Sequence, residues 1–358
     1  MRKDSDAGGL RDRIREAALE MGFAQIGFAP CARPPDADAY LRWLACGRHG
    51  EMGYMAREDA VRRRLDPGEA LPGCRTIVIV SLAHDPSPSS GSSGTGPVVA
   101  RYARGRDYHD VFEEMLEGLR QRIDAVAPGE TSRPYVDYGP VLERDHARRA
   151  GLGWIGKNTM LLHPGLGSYF LLGELLTTLE LPPDPPFEAE HCGTCERCIV
   201  ACPTGAIVGP GELDARLCIS YLTIELRGSI PVELRPLIGD RVFGCDICQE
   251  VCPWNRDLAP LPSDRLTPGK PALPSSMREW ATRLLDMDDG EFAVAYRGTA
   301  LRRPGRAGLL RNLCVGLGNS GDSRAGDVLR RCLSDPSPLV REHAEWALDR
   351  LGEPAGAS

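Results

Sequence analysis

The chain lacks any apolar run long enough to span a membrane, since no stretch approaches the ~18 consecutive apolar residues that a spanning helix needs. It also lacks the pattern of a secretory signal, because residues 1–6 lead into a charged amphipathic segment and not into an apolar core. We therefore expect a cytoplasmic protein that does not associate with membranes.

A net positive charge is absent too. Lys and Arg number 43 against 50 Asp and Glu, and the formal net charge of −7 argues against a protein coated for nonspecific nucleic-acid binding. Residues 301–351 are an exception, with nine arginines against six acids and a local balance of +3. This segment is either a local basic face or an ordinary solvated helix surface paired with nearby acids, and the sequence leaves both open. The arginines are Arg302, Arg303, Arg306, Arg311, Arg324, Arg330, Arg331, Arg341 and Arg350.

Composition is otherwise that of an ordinary globular protein, with 42% hydrophobic and 26% charged residues in 358. That length suits two or three domains with a substantial core. Thirteen cysteines in a chain of this kind indicate a reducing compartment and argue against a disulfide framework. Five of them lie apart from the main groups and are expected to act as small apolar residues: Cys31, Cys46, Cys74, Cys314 and Cys332.

The other eight cysteines follow the spacing of iron–sulfur ligands. The first run is Cys192-x2-Cys195-x2-Cys198-x3-Cys202-Pro, in which three close thiolates bind one cubane and the fourth binds the other. The second run, Cys245-x2-Cys248-x3-Cys252-Pro, has one cysteine fewer, and Cys218 is the unassigned cysteine nearest to it. The spacing therefore predicts two [4Fe–4S] clusters. One is held by Cys192, Cys195, Cys198 and Cys252, and the other by Cys202, Cys218, Cys245 and Cys248.

A zinc site is the alternative for the same cysteines, because paired C-x2-C motifs also suit a tetrahedral site of four thiolates. Zinc sites rarely use three closely spaced cysteines with a fourth before proline. The sequence Pro203-Thr204-Gly205-Ala206 after the last ligand is typical of ferredoxin-type domains. The pattern thus favours iron–sulfur clusters over zinc.

Three zones are predicted along the chain. Residues 1–181 alternate helical periodicity with apolar β-branched runs such as 76–80, which indicates an α/β domain. Residues 182–270 begin at a proline-dense break and contain the cysteine runs, which predicts a ferredoxin-like α+β domain. Residues 271–358 are predicted to be α-helical, with paired helices resembling a HEAT-like repeat that must pack on the rest of the protein.

Paired cubanes relay single electrons, so the cysteines predict a redox protein. About 180 residues precede them, more than a simple ferredoxin needs, and these are rich in polar groups at expected loop ends. Three segments stand out, namely residues 101–109 (RYARGRDYH), 136–144 (VDYGPVLER) and 153–158 (GWIGKN). Their presence favours a catalytic site within the N-terminal zone.

Together with both cysteine runs and the helical repeat, these segments resemble the epoxyqueuosine reductases over nearly the whole chain. Members of that family are cobalamin-dependent iron–sulfur enzymes of the last step of queuosine synthesis in tRNA. The resemblance implies an oxidoreductase that reduces the epoxide of epoxyqueuosine at the wobble position to queuosine. Electrons would pass from an external low-potential donor through two [4Fe–4S] clusters to cob(II)alamin. We expect a monomer that acts on tRNA.

The resemblance also implies that Asp137 donates a proton to the departing epoxide oxygen. An ordinary aspartic acid is ionised at neutral pH, so this role requires a desolvated pocket that raises its pKa. The alternative is that Asp137 caps the helix expected to begin near Val141. Tyr138 departs from the family pattern, which has a smaller residue there. Tyr108 and His109 are candidate donors in the same pocket, although a structural histidine is the commoner outcome.

Cobalamin contacts are implied by the same resemblance and cannot be derived from the residues alone. The chain has no D-x-H-x-x-G motif for a lower axial histidine, so the cofactor would bind base-off. Plain core positions remain the alternative for the leucines, and a solvated charge for the arginine. The implied contacts are Arg64, Ala100, Asp137, Asn158, Leu161, Leu172, Ile219 and Ser220.

Two other functions stay open at this point. A reductive dehalogenase also joins a cobalamin domain to two clusters, but it typically carries a twin-arginine signal, which is absent here, and lacks a helical repeat. A noncatalytic electron-transfer module is the other alternative. For a tRNA enzyme of net charge −7, binding must rest on local basic surface, and we expect Arg302, Arg303, Arg306 and Arg311 to provide it.

Overall fold

The structure is a computed structural model that describes residues 2–87, 96–258, 265–266 and 273–353. The predicted boundary between residues 270 and 271 lies outside the described residues. None of the described helices is both long and apolar enough to cross a membrane.

The first zone combines helices and strands, as predicted. In chain order its elements are α1 (Arg2–Glu20), β1 (Gln25–Pro30), α2 (Ala37–Ala45), α3 (Glu58–Leu65), β2 (Thr76–Ala83), β3 (Val98–Val99), α4 (Tyr108–Val126), β4 (Ser132–Tyr135), α5 (Glu143–Arg149), β5 (Trp154–Ile155), β6 (Leu161–Leu162) and β7 (Phe170–Thr177).

A four-stranded sheet of order β1-β2-β7-β4 organises this zone. Each of its strand pairs is antiparallel, with Val80 opposite Ile26 on one side and Gly173 on the other. All of β2 is buried, which its continuous β-branched run predicted. The reason is that α1 and α4 cover one face of the sheet and α5 covers the other.

Alternation along β2 divides the core of the first zone into two layers. Val78 and Val80 point to the α1 and α4 side, whereas Ile77 and Ile79 join the layer beneath α5. The edge strand β4 ends just before residue 137, which places the predicted catalytic segment at the margin of this sheet.

The cysteine zone is built from short elements joined by turns. They are α6 (Arg197–Ala201), β8 (Ile207–Gly209), β9 (Glu212–Leu213), α7 (Ile219–Ile224), α8 (Arg235–Ile238), β10 (Arg241–Phe243) and α9 (Ile247–Glu250). Strand β10 pairs in parallel with β3 of the first zone, Phe243 lying opposite Val99. This pairing fixes the second cysteine run against the first zone.

In its described residues the last zone is helical, as predicted, with α10 (Met277–Leu285), α11 (Asp289–Ala295), α12 (Gly305–Asn319), α13 (Gly326–Cys332) and α14 (Pro338–Leu351). Helix α12 is central and packs against α10, α14 and β10. The apolar core here includes Val99 and Phe243 besides the helices, so all three zones share it. The expected packing of the helices onto the rest of the chain is confirmed.

Candidate active site and iron–sulfur ligands

Asp137 lies in a tight turn just after β4 and has a φ of +44°. A left-handed backbone costs most L-residues about 1–2 kcal/mol, so neighbouring contacts must hold this conformation. Its backbone N–H donates to Oε1 of Glu143 at 2.6 Å. Helix α5 begins at Glu143 with Leu142 at the cap and no side-chain capping bond, so the alternative role of Asp137 as a helix cap is wrong.

The Asp137 carboxylate is held by two consecutive residues at the start of α4. Tyr108 donates its hydroxyl to Oδ2 at 2.8 Å, and Nε2 of His109 lies 3.4 Å from the same oxygen. The other ring nitrogen of His109, Nδ1, is 2.7 Å from Oδ1 of Asp107, the N-cap of α4. The imidazole therefore bridges two carboxylates, and Tyr108 and His109 are pocket groups as the sequence suggested.

These contacts set the charge of the pocket. Desolvation by the walls favours the neutral acid at Asp137, but hydrogen bonds from His109 and Tyr108 outweigh it and lower its pKa. The Asp137 side chain is 63% exposed to solvent, which also weakens the desolvation. We call the surface formed by Asp137, Tyr108, His109 and Tyr138 the cleft. Burial opposes a charged imidazole at His109, yet the bonds to Asp107 and Asp137 raise its pKa to about 9. The expected upward shift of the Asp137 pKa is therefore wrong for the protein without ligands.

A second acid lies beneath this turn. Burial, followed by the nearby charges of Asp137 and Glu174, raises the pKa of Glu143 well above its usual value. Glu174 is fully buried in β7 and contacts Nδ1 of His146 at 3.0 Å. The pocket thus lowers the pKa of Asp137 and raises that of Glu143, the kind of separation by which enzymes divide acid and base roles.

Aromatic and charged side chains form the rim of this cleft. Tyr138 is 60% exposed, stacks beside His109 with ring centroids 5.9 Å apart, and donates its hydroxyl to Glu113. Arg303, from the helical zone, pairs with Glu225 at 3.0 Å and interacts electrostatically with Asp137. The C-terminal zone therefore reaches the cleft, which sequence reasoning did not show.

Several residues implied as cofactor contacts surround the same region. Arg64 is buried and donates to the carbonyl of Gly139 in the Asp137 turn, and among the described residues its Nε has no acceptor. Asn158 is buried and donates to the carbonyl of Cys248 at 3.4 Å. Ala100 is also buried, and its N–H donates to the carbonyl of Phe243. The structure thus places Arg64 at the Asp137 turn and the other two beside the second cysteine run.

The remaining implied contacts have more ordinary surroundings. Leu161 is buried in the apolar layer beneath α5, and Leu172 in β7 packs against the edge of that layer. Ile219 and Ser220 open helix α7 directly after Cys218, with Ile219 buried. Leu161 and Leu172 therefore have the environment of core residues, whereas Ile219 and Ser220 lie beside a predicted cluster ligand.

The thiols of the first predicted ligand set are neighbours. Burial and the charges of Cys192 and Cys195 raise the pKa of Cys252, and burial with the charges of Cys192 and Cys252 does the same for Cys198. Residues 60 positions apart in the chain thus meet at one place. The crossed pairing, in which Cys252 joins the first run, is the arrangement that the spacing predicts.

The second predicted set is brought together likewise. Burial raises the pKa of Cys245 to about 12, and the charge of Cys218 raises it further. Burial also raises the pKa of Cys218, with a further contribution from the charge of Cys202. Cys248 interacts with all three and also with Cys198 of the other set, so the two sets adjoin. Within the described residues no three such side chains converge to hold a single metal ion. A cubane does not require this, because each thiolate binds a different iron atom.

A buried ion pair that sequence reasoning missed joins the cleft side to the second set. Arg101 is 5% exposed at its side chain and lies 3.1 Å from Asp246 and 2.8 Å from Glu250. Its backbone N–H also donates to Asp246, which lies between Cys245 and Cys248 in sequence. The signal available was Arg101 at the start of the segment 101–109, but nothing in the sequence indicated its partner.

Two of the four arginines expected to bind tRNA are buried. Arg311 is fully buried and donates to the backbone carbonyls of Leu222, Leu226 and Gly228. Arg306 is 6% exposed and pairs with Asp335 at 2.9 Å. The expectation that these two form a surface is therefore wrong. Helix α12 is buried on nearly all sides, and a helix in that position buries its arginines as well.

Family comparisons now bear on these observations. Residues 64–138 match the family described as "Epoxyqueuosine reductase QueG, DUF1730", and residues 191–255 match a "4Fe-4S double cluster binding domain". An epoxyqueuosine reductase from Pseudomonas aeruginosa is 45% identical over 97% of this chain and 96% of its own. The Escherichia coli epoxyqueuosine reductase is 40% identical over 97% of this chain and 91% of its own.

This chain belongs to the epoxyqueuosine reductase family. A crystal structure from the family, determined with a tRNA-Tyr epoxyqueuosine-modified stem loop, has a TM-score of 0.87 and 32% identity over 97% of this chain and 91% of that one. The Bacillus subtilis member, described with its catalytic aspartate loop swung out of the active site, has a TM-score of 0.86 and 30% identity over the same shares.

Membership decides between the alternatives left open by the sequence. The protein is an oxidoreductase with two [4Fe–4S] clusters, so the zinc site, the noncatalytic module and the dehalogenase are set aside. The donor chemistry agrees, because two adjoining sets of four thiols are what two cubanes require.

Proposed function

We propose that this protein reduces epoxyqueuosine in tRNA to queuosine, with electrons relayed through its two [4Fe–4S] clusters. The observation that carries the proposal is that Asp137 is held by Tyr108 and His109, with the buried Arg64 donating to the same turn. The relatives named above are epoxyqueuosine reductases, and one was crystallised with an epoxyqueuosine-modified stem loop.

The reaction requires both protons and electrons. Two electrons and two protons enter, both carbon–oxygen bonds of the epoxide break, a carbon–carbon double bond forms, and the oxygen leaves as water. Charge develops on that oxygen as the ring opens, so an acid must stand beside it. The protein must therefore deliver two protons to one atom.

In this proposal Asp137 delivers the proton and its neighbours replenish it. Asp137 is ionised in the free protein, but His109 beside it is protonated at neutral pH, and the pKa of Glu143 beneath it is raised well above its usual value. Two groups with raised pKa values thus flank one carboxylate that faces the cleft. The catalytic aspartate loop described for the Bacillus subtilis member supports a catalytic role for Asp137, which lies in a tight turn after β4.

Cobalamin is the proposed cofactor, and the residues fit it. The Arg64 guanidinium presents a buried Nε that lacks an acceptor among the described residues, as a group awaiting a ligand would. Asn158 and Ala100, with Ile219 and Ser220, would hold the cofactor on the side of the second cysteine set, and Leu161 and Leu172 would support it from the core. When bound, cobalamin would supply the reduced cobalt that delivers electrons to the epoxide carbon.

We also infer the cluster ligands from the two thiol groups. The cluster of Cys202, Cys218, Cys245 and Cys248 would lie nearer the cofactor, because Asn158 and Arg101 contact its loop. The cluster of Cys192, Cys195, Cys198 and Cys252 would then accept electrons from an external low-potential donor. The adjoining positions of Cys198 and Cys248 support transfer from one to the other.

For tRNA, the proposal now rests on arginines that are exposed. Arg302 is exposed, and Arg303, although paired with Glu225, is 53% exposed at the rim of the cleft. Arg324 and Arg331 are 72% and 50% exposed. A base leaving the anticodon stack would pass this rim to reach Asp137.

The proposed domains are residues 1–181 for cofactor and catalysis, 182–270 for the clusters, and 271–358 for a HEAT-like helical repeat. Helices α12 and α14 pack against each other extensively, which supports a paired-helix repeat. We infer a cytoplasmic monomer.

The direct test is nucleoside analysis. Anaerobic protein reconstituted with iron, sulfide and cobalamin should convert epoxyqueuosine to queuosine in tRNA from cells that lack the activity. Unchanged epoxyqueuosine in the presence of both clusters, cobalamin and a chemical reductant would contradict the proposal. Asp137→Asn, prepared identically, serves as the control for chemistry by free cofactor.

A further inference from the structure

Four aromatic rings surround one end of the first cysteine set. Trp154 packs against Phe187, His191 and Trp254 with centroid distances of 5.7, 4.8 and 5.1 Å. We call these four residues the aromatic cluster. Cys252 shares the buried core of this group.

Trp154 occupies the centre of the aromatic cluster and is only 1% exposed. It lies in β5, whose pairing with β6 fixes Trp154 opposite Leu162. Two residues later, a methyl group added to Gly156 would lie 3.6 Å from Cys192 Sγ. The hairpin that carries Trp154 therefore runs directly beside the first cysteine set.

The indole N–H of Trp154 is buried, and the described residues offer it no hydrogen-bond acceptor. Leaving a buried donor without a partner is unfavourable, and buried tryptophans usually have a hydrogen-bond partner. Trp254 in the same cluster differs, because its Nε1 donates to the carbonyl of His191 at 3.4 Å. Only one of these two neighbouring indoles therefore needs an acceptor from elsewhere.

We propose that the indole N–H of Trp154 donates a hydrogen bond to a sulfur atom of the cluster held by Cys192, Cys195, Cys198 and Cys252. The inference rests on that proposed ligand set. Sulfur accepts such bonds, and the backbone N–H groups of Trp254 and Asn255 already donate to the Cys252 thiol. Trp154 is thereby a positioning residue for electron entry and does not touch the substrate.

The consequence is a shift in reduction potential. Reduction adds negative charge to the cluster, and a hydrogen-bond donor stabilises the more negative state. The Trp154 N–H therefore raises the potential of this cluster and makes it easier to reduce.

The matched variants are Trp154→Phe and Trp254→Phe. Both replace an indole with a phenyl ring in the same aromatic cluster, but only the first removes the unpaired donor. In a redox titration monitored by electron paramagnetic resonance, Trp154→Phe should shift the potential of one cluster to a more negative value. Trp254→Phe should leave both potentials close to those of the parent.

Deuterium exchange gives a second readout. Iron–sulfur stretching frequencies of the parent should shift after exchange at indole nitrogen, and part of that shift should vanish in Trp154→Phe. Equal potentials in Trp154→Phe and the parent, with both clusters present, would overturn the proposal and point to a bridging water. A Cys252→Ala variant that retained both clusters would instead overturn the ligand set, so the two failures are distinguishable.

Discussion

The two cysteine sets and the Asp137 cleft shift the pKa values of their acidic groups in opposite directions. Among the cysteines, burial and neighbouring thiols raise the pKa of Cys198, Cys248 and Cys252, so without iron each set resists ionisation. At Asp137, hydrogen bonds from His109 and Tyr108 lower the pKa, so the carboxylate is already charged and compensated.

The difference shows what each region still requires. Four thiolates gathered in a buried place are stable only around cationic iron, so the cysteine sets are incomplete as protein alone. The cleft is complete as an ion pair, and it becomes acidic only when a ligand excludes water or when His109 and Glu143 pass on a proton. Cluster formation is thus a matter of assembly, and catalysis is a matter of moving protons.

The largest effect is expected from breaking one cysteine set. Cys218→Ala removes one of four thiolates from the proposed second cluster, and Cys218 is the member that lies outside both cysteine runs. Anaerobic protein should fall from about eight to about four iron atoms per chain, with turnover below detection. Iron and sulfide analysis checks this, and Cys46→Ala, an exposed cysteine outside both sets, is the control. Eight irons in Cys218→Ala would remove it from the ligands.

Replacing Asp137 in the cleft should reduce turnover by less than the loss of a cluster ligand does. Asp137→Asn keeps the shape of the side chain but cannot deliver a carboxylic proton, and general acids typically contribute 10²–10⁴-fold. We expect turnover to fall by roughly that factor while iron content and cobalamin binding stay unchanged. Single-turnover assays with reduced protein measure the epoxide reduction step separately from electron supply. Near-normal epoxide reduction by this variant would transfer the role to Glu143.

How far the sequence predicted each region follows from the same difference. Cysteine spacing is a local property, and it predicted the two thiol groups that the fold assembles, just as the local run of β-branched residues at 76–80 predicted the buried strand β2. Asp137 was identified through family resemblance, yet its pKa was predicted in the wrong direction. That direction depends on the ring of His109, which reaches Asp137 from 28 residues away only in the folded protein.

Contacts between residues that are distant in the sequence also explain what the sequence analysis did not predict. The link from Arg101 to Asp246 spans 145 residues, and no periodicity encodes it. Arginine is usually exposed, which favours surface positions for Arg306 and Arg311, whereas the apolar residues around them in α12 indicate burial. The antiparallel order of the sheet likewise depends on long-range pairing.

A smaller effect, on pH dependence, tests the proton supply to the cleft. The pKa of His109 is raised to about 9, so its proton is present at neutral pH and is lost as pH rises through that value. Parent activity should therefore decline above about pH 9, with a limb that His109→Gln lacks. That variant removes the hydrogen bond from His109 that opposes the desolvation of Asp137, so the pKa of Asp137 should rise. Profiles of kcat against pH measure both effects. An unchanged alkaline limb in His109→Gln would exclude His109 as the proton source.

The smallest effect is expected on tRNA affinity, where exposed and buried arginines can be compared directly. Arg302→Gln with Arg303→Gln removes two exposed charges at the rim, so tRNA binding should weaken a few-fold and the salt slope should fall by about two. Arg306→Gln leaves Asp335 buried without its partner, which typically costs 3–5 kcal/mol of folding stability. Binding titrations over a range of salt concentrations measure the first effect, and thermal unfolding measures the second. If the double variant binds tRNA like the parent at every salt concentration, the rim arginines are a solvated helix face. The surface that contacts tRNA would then have to be sought elsewhere, starting with the exposed Tyr138.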